Sequence, residues 1–200
     1  MKQDRQSYWL LAAYSFILLL FTTHSSPLYA FNGWNDVNIH FTIGKGLFNG
    51  YVPYVDLIDY KGPFTYLIYG VGWLIDHTGF FGVYLLQSLF LAVSVIHVFR
   101  LAKLFIARRE MCFLAAILSP LPLLSFGTRG NTGGGIEEFT LALLTVSFYY
   151  FTVFFLKPEA HLPRHALLQG ALFAAVFMLK YNLTAFFGGF VLVAAILLLG

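Results

Sequence analysis

This sequence has few charged residues. Only 10% of its 200 residues are Asp, Glu, Lys or Arg and 59% are hydrophobic, whereas soluble domains carry about 25% charged residues. This composition excludes an ordinary soluble domain and predicts an integral membrane protein. The formal net charge is only +3 and the chain contains no run of basic residues, which argues against a nucleic-acid partner.

Cysteine is also nearly absent. Cys112 is the one cysteine, so the chain forms no internal disulfide and no cysteine-rich metal site. Six histidines are present, but they are not grouped at the spacings typical of metal ligands. The sequence has no repeat of fixed period and no low-complexity linker. Residues 1–200 are therefore interpreted as a single membrane domain.

Long apolar segments make up most of the chain. They predict an all-α, polytopic integral membrane protein with about six transmembrane helices, because a span needs about 20 apolar residues. The spans are expected from residue 8 into the low twenties or on to residue 31, and at about 80–99, 111–126, 139–156, 166–179 and 183–199. The apolar run 64–75 has only about 12 residues, too few for a span, and is predicted to be a non-spanning helix.

The basic residues predict the orientation in the membrane. Lys2 and Arg5 precede the first span and favour a cytoplasmic N-terminus, because cytoplasmic segments are enriched in Lys and Arg. If the short helix does not span, the loops 33–63 and 128–138 both lie outside the cytoplasm. The basic cluster within residues 100–109 then lies inside, as the same rule requires.

Asp36 is the first candidate functional residue of the external loop 33–63. The residues that follow it alternate like a strand but also repeat like one helical face, and we expect a short interfacial helix with Asp36 near its start. A carboxylate is favourable there against the helix dipole. Asp36 is therefore either a helix cap or, if partly buried at the membrane surface, a general base.

The same loop contains a second group of candidates. Lys61 precedes a Gly-Pro turn and would point its ammonium towards the headgroup layer. It either binds a lipid phosphate or is a snorkelling lysine paired with Asp59. Asp56 and Asp59 are further candidate substrate-binding residues.

The second external loop, 128–138, reads TRGNTGGGIEE. Its three consecutive glycines permit positive φ or a close backbone approach to a ligand. Arg129 is a candidate for neutralising a phosphate, while Glu137 and Glu138 are either ordinary helix-start residues or substrate-binding groups. Because hard cations take oxygen ligands, a divalent ion held by Asp36 and one of these glutamates, such as Glu138, is also considered.

These features resemble the N-terminal part of the GT-C superfamily of polytopic glycosyltransferases, relatives of protein O-mannosyltransferases and bacterial lipid A aminoarabinose transferases. There, a first span leads into a large external loop with an aspartate, and a phosphate-contacting lysine in a Lys-Pro-Pro motif opens a short non-spanning helix. Asp36 resembles the loop aspartate, and Lys61-Gly62-Pro63 resembles the lysine motif with glycine replacing the first proline. The segments YVPYVDLIDYKGP and GGGIEEF also look like bacterial variants, and the similarity covers about residues 8–156.

The resemblance implies a bacterial cell-envelope enzyme, a hexosyl- or pentosyltransferase. It would move a sugar from a polyprenyl-phosphate donor to a hydroxyl of a lipid, glycan or protein acceptor on the outer face of the cell membrane. Asp36 would be the general base, Lys61 and Arg129 would stabilise the departing phosphate, and Glu137 or Glu138 would orient the sugar or hold a metal. Because Gly200 lies within an apolar run, we expect the N-terminal part of a longer protein.

Two other classes of function stay open. One is a polytopic transporter or flippase for lipid-linked glycans, a class that also places charges among apolar helices. The spans here are nearly free of charge and the polar residues gather in two external loops, which argues against it. The other is a non-catalytic membrane subunit.

Overall fold

A computed structural model describes residues 2–122 and 133–199. The helices in these ranges are α1 Lys2–Thr22, α2 Asn35–Phe48, α3 Pro63–Ile75, α4 Phe81–Phe105, α5 Arg109–Leu118, α6 Ile136–Leu156, α7 Pro163–Leu179 and α8 Ala185–Leu199. Short 3₁₀ turns at Pro158–Ala160 and Tyr181–Thr184 precede α7 and α8. Within the described ranges no β-strand forms, apart from an isolated bridge between Pro53 and Leu57. The predicted all-α class is confirmed for this part of the chain.

Three segments of the described chain are long and apolar enough to cross a membrane. They are α4, α6 and Tyr181–Leu199, which contains α8. The apolar helices α3 and α7 are shorter, with 13 and 17 residues. The predicted span 111–126 extends beyond the described ranges, and α5 ends at Leu118. The three long helices indicate membrane association, whereas the six-span count and the orientation stay predictions.

The loop between α1 and α4 contains the two helices α2 and α3. The residues around Asp36 fold as a helix rather than a strand, and a face that includes Val37, His40 and Ile43 is buried. Pro63 is the first residue of α3, where its fixed φ favours the opening turn of a helix. At 1.5 Å per residue the 13 residues of α3 extend about 20 Å, less than the roughly 30 Å of a bilayer core.

One apolar core joins these two helices to the long ones. Val37 of α2, Tyr69 of α3, Val83 of α4 and Phe139 of α6 are fully buried and belong to one cluster. Burial of an aliphatic or Phe side chain contributes about 1.5–3 kcal/mol. The core therefore fixes the starts of α2 and α6, on which the candidate residues lie.

The opposite end of the molecule is where the N-terminus meets the basic cluster. Lys103 Nζ lies 2.8 Å from Asp4 Oδ1, and the guanidinium of Arg109 donates to Ser7 Oγ at 2.6 Å. The end of α4 and the start of α5 therefore lie beside the first turns of α1. The basic residues at 100–109 share one end of the helix bundle with the N-terminus.

Candidate functional site

Four charged side chains from four separate parts of the chain line one small cleft. Asp36, Lys61, Glu137 and Lys180 lie at the start of α2, before α3, at the start of α6 and after α7, respectively. The cleft has a volume of about 50 Å³, and its other lining residues are Trp34, Val37, His40, Gly135 and Ile136. We call it the polar cleft. The structure thus brings together three residues that the sequence singled out.

Lys61 and Lys180 become neighbours because the start of α3 packs against the end of α7. The Gly62 N–H donates to the Leu179 carbonyl at 3.4 Å, and Thr65 Oγ1 donates to the same oxygen at 3.1 Å. A second cavity, of about 90 Å³, also contains both lysines. Its other lining residues are Tyr60, Gly62, Leu179, Tyr181 and Asn182. Both lysines therefore line the polar cleft and the second cavity.

Glu137 and Glu138 are adjacent in sequence but have different roles in the structure. Glu137 lines the polar cleft and forms an ion pair with Lys180. Glu138 instead accepts hydrogen bonds from the N–H of Gly135 at 3.2 Å and from the side-chain amide of Gln87. Glu138 thus satisfies a backbone donor at the start of α6, as expected of a helix-start residue.

The glycines before α6 serve packing inside the protein. Gly133 and Gly134 have φ of +106° and +85°, the left-handed region that glycine adopts without a Cβ clash. The carbonyl of Gly133 accepts from the Asn32 side chain at 3.0 Å, and that of Gly134 accepts from the Tyr69 hydroxyl. Of the two possibilities that these glycines allowed, positive φ is present at both positions, and side chains of the protein contact their carbonyls.

His40 and Asp59 form a pair that the sequence reasoning did not identify. His40 Nε2 lies 3.4 Å from Asp59 Oδ2, and the two side chains are only 3% and 9% exposed. Asp59 also accepts hydrogen bonds from the Tyr66 hydroxyl at 3.2 Å and from the Tyr60 N–H at 2.8 Å. Asp59 is therefore held by the protein beside His40, and it does not line the polar cleft.

His40 has an unusual electrostatic setting. Burial lowers its pKa below the ordinary value, against the opposing effect of Asp59, so the imidazole is neutral at pH 7. Its Nδ1 is buried and has no hydrogen-bond partner within residues 2–122 and 133–199. A buried polar atom without a hydrogen-bond partner lowers the stability of the folded protein by about 1–3 kcal/mol. The sequence could have indicated that His40 lies near Asp36, since positions 36 and 40 are one helical turn apart and share a face of α2.

Asp36 lines the polar cleft from an exposed position in the first turn of α2, one residue past the first helical position. The N-cap is Trp34, so the interpretation of Asp36 as the helix cap is wrong, and the partial burial considered for a general base is not observed. Asp56 is exposed and accepts from the Val52 N–H at 2.7 Å, which closes a local turn. Arg129 lies outside the described residues.

The divalent cation site considered for Asp36 and Glu138 is not formed in the described residues. Asp36 lines the polar cleft, whereas Glu138 is absent from its lining and accepts hydrogen bonds from Gly135 and Gln87. Glu137, the other glutamate considered, lines the cleft with Asp36 but is paired with Lys180. No group of three or more His, Cys, Asp or Glu side chains in the described ranges is arranged to hold a metal ion.

No family model, curated protein or solved structure matches this chain. Function is therefore inferred from the chemistry of the polar cleft. Lysine ammonium groups bind phosphate oxygens as point charges. A carboxylate beside them can accept a proton, and a neutral imidazole can accept a hydrogen bond. These groups suit a ligand that carries both a phosphate and hydroxyl groups.

Proposed function

We propose that this protein is a membrane glycosyltransferase that moves a sugar from a polyprenyl-phosphate donor to an acceptor hydroxyl on the outer face of the membrane. The observation that carries the proposal is the convergence of Lys61 and Lys180 beside the carboxylates of Asp36 and Glu137. Residues 61 and 180 are distant in sequence, yet both line the polar cleft and the second cavity. Two lysines that line both cavities favour a phosphodiester ligand, with the phosphate bound by the lysines and one substituent of the phosphate in each cavity.

The two cavities suggest how such a donor lies. The phosphate binds Lys61 and Lys180, the sugar faces Asp36 and Glu137, and the first prenyl units lie against the aromatic side of the second cavity, beside Tyr181. At about 50 Å³ the polar cleft is smaller than the roughly 300–1,000 Å³ of ligand sites. Donor binding therefore requires a rearrangement, and the simplest is release of Lys180 from Glu137 to the phosphate.

The reaction in this arrangement is a single displacement. The acceptor oxygen forms a bond to the anomeric carbon of the sugar while the bond from that carbon to the phosphate oxygen breaks. Asp36 takes the acceptor proton, and the electron pair leaves with polyprenyl phosphate, whose added negative charge the two lysines stabilise. Attack opposite the leaving phosphate inverts the anomeric centre.

The arrangement of the helix ends supports the outer-face location. The polar cleft lies at the starts of α2 and α6, whereas the basic cluster at 100–109 meets the N-terminus at the other end. The positive-inside tendency puts that basic end in the cytoplasm. In the proposed topology α1, the segment 111–126, α6, α7 and α8 join α4 in crossing the membrane, which gives the six spans.

The rival functions predict different behaviour. A transporter or flippase for lipid-linked glycans needs polar groups along a path through the bilayer, whereas the charges described here gather at the two ends. A non-catalytic subunit would keep the fold without depending on the cleft residues for any turnover.

The decisive experiment is transfer of radiolabelled sugar from polyprenyl-phosphate donors to membrane acceptors by the full-length gene product in proteoliposomes. Asp36→Asn is expected to lower the rate by about 10²–10⁴-fold, the usual contribution of a general base. Lys61→Ala is expected to lower it by about 10²–10³-fold, because a preorganised group that stabilises developing charge is removed.

Lys45→Ala is the matched control for the lysine variant. Lys45 is exposed near the end of α2 and is absent from the lining of both cavities, so the variant changes the charge of the same loop without touching the site. Wild-type rates in both Asp36→Asn and Lys61→Ala would exclude the proposed active site. Flipping of the donor without transfer, in wild-type protein, would favour the transporter.

A further inference from the structure

His40 lines the polar cleft, and its imidazole has a buried nitrogen without a hydrogen-bond partner among the described residues. The residue is 3% exposed, and that nitrogen is Nδ1. Tyr69 packs against the ring, with centroids 5.3 Å apart, which limits its rotation. The side chain is thus buried and fixed while one of its polar atoms is left unsatisfied.

Asp59 determines which nitrogen of His40 carries the proton. Asp59 Oδ2 lies 3.4 Å from Nε2, and a lone pair on Nε2 would be repelled by the carboxylate. The favoured neutral tautomer therefore has hydrogen on Nε2 and a lone pair on Nδ1. Burial lowers the pKa of His40, which keeps that lone pair free of a proton at pH 7. Nδ1 can then only accept a hydrogen bond.

We propose that Nδ1 of His40 accepts a hydrogen bond from a hydroxyl of the sugar in a phosphate-linked sugar ligand, with Asp59 as the positioning residue that fixes the tautomer. This inference rests on the proposed function and specifies the substrate chemistry that the site recognises. Lys61 and Lys180 bind the phosphate and do not distinguish a sugar phosphate from any other phosphate monoester or diester. His40 supplies the selection for a hydroxyl group next to that phosphate.

The test is a binding measurement with two short, water-soluble probes. One is citronellyl phosphate carrying a hexose, and the other is citronellyl phosphate without a sugar. In His40→Gln the affinity for the hexose-bearing probe is expected to fall about tenfold, the effect of leaving one buried hydrogen-bonding group unpaired. The affinity for the sugar-free probe is expected to stay unchanged, because that probe has no sugar hydroxyl for His40 to bind.

His40→Asn provides the matched control. The Asn Oδ1 superposes on the position of His Nδ1, whereas the Gln side chain places its polar atom near Nε2. We therefore expect His40→Asn to bind the hexose-bearing probe more tightly than His40→Gln. Packing alone predicts the reverse order, because Asn leaves the larger void. Equal losses with both probes would show a structural role and would overturn the inference.

A measurement on the wild-type side chain needs no variant to fold. In protein labelled with ¹⁵N-histidine, the His40 spectrum is expected to show hydrogen on Nε2 and a bare Nδ1 whose resonance moves upfield when the hexose-bearing probe binds. A proton on Nδ1, or a signal that responds equally to the sugar-free probe, would overturn the inference. In Asp59→Asn the tautomer preference is expected to weaken.

Failure of this inference is distinguishable from failure of the proposed function. If sugar transfer depends on Asp36 and Lys61 but His40→Gln binds both probes like wild type, only the role of His40 is wrong. If the wild-type protein neither binds the probes nor transfers sugar, the proposed function is wrong and the inference falls with it.

Discussion

The backbone of Gly62 lies directly against the carbonyl oxygen of Met178 in the last turn of α7. A Cβ atom at Gly62 would overlap that oxygen and lie 2.9 Å from the Met178 Cα. Glycine is therefore required between Lys61 and Pro63 by the packing of α3 against α7.

Gly62→Ala is expected to destabilise the protein by about 1–3 kcal/mol, because the backbone of α7 must move to accommodate the methyl group. The measurement is the unfolding midpoint in detergent. Gly170→Ala is the matched control, since a Cβ at Gly170 meets nothing within 4 Å and alanine favours the helix by up to about 1 kcal/mol. Equal midpoints for the two variants would contradict the packing argument.

Lys61→Ala and Lys180→Ala are expected to raise the KM for the donor by different amounts and to be non-additive. If both lysines bind one phosphate, the loss of binding free energy from replacing one lysine is smaller when the other lysine has already been replaced. A double-mutant cycle on donor binding measures this coupling. Strictly additive losses would indicate that the two lysines act on separate ligands.

Glu137→Gln is expected to raise the affinity for sugar-free citronellyl phosphate by up to about fivefold. Lys180 forms an ion pair with Glu137, and the two side chains are 26% and 49% exposed. An exposed ion pair contributes about 0.2–1 kcal/mol of interaction free energy. A phosphate that binds Lys180 must first break its ion pair with Glu137. Titration calorimetry with the sugar-free probe measures the change. Weaker binding in Glu137→Gln would show that Lys180 does not transfer from Glu137 to the ligand.

Protonation of His40 makes stability depend on pH. Burial lowers the folded-state pKa of His40 below the reference value of 6.5, although Asp59, Asp36 and Glu137 oppose the shift and Lys61 adds to it. Below about pH 6.5 the unfolded chain binds the proton more readily than the folded chain. The contribution of neutral His40 to the free energy of unfolding is therefore fully present above that pH. It is lost as the pH falls towards the folded-state pKa.

This contribution is measured by comparing wild type with His40→Gln. Between about pH 7.5 and 5 the unfolding midpoint of the wild type is expected to fall more than that of the variant. The difference between the two curves isolates His40 from the other titrating groups. Parallel curves would mean that His40 takes up its proton equally in the folded and unfolded chains.

Local signals predicted the parts of the fold that depend on neighbouring residues. The short apolar run and Gly-Pro turn predicted a helix close to the observed Pro63–Ile75, and paired acids predicted the start of α6. The two patterns around Asp36 were ambiguous. The helical one prevailed because Val37 and Ile43 bury one face against the core.

The residues that complete the site depend on packing between distant helices. Lys180 joins Lys61 only because α3 meets the end of α7, and no periodicity within either segment encodes that crossing. Asp59 was a candidate substrate-binding residue and one of two alternatives for the partner of Lys61, yet Tyr66 and the Tyr60 N–H hold it beside His40. The pairing of Glu138 with Gln87 likewise depends on α4 lying against α6.

The polar cleft draws its charges from positions 36, 61, 137 and 180, and this has a consequence for biosynthesis. A nascent chain that has exposed only residues 1–63 carries Asp36 and Lys61 without their partners. The site is completed after α7 has left the ribosome and docked on Gly62, so truncated chains ending before residue 180 are expected to insert without gaining ligand affinity. In the proposed function, the end of α7 therefore determines when during synthesis the protein first becomes able to bind a phosphate-linked sugar.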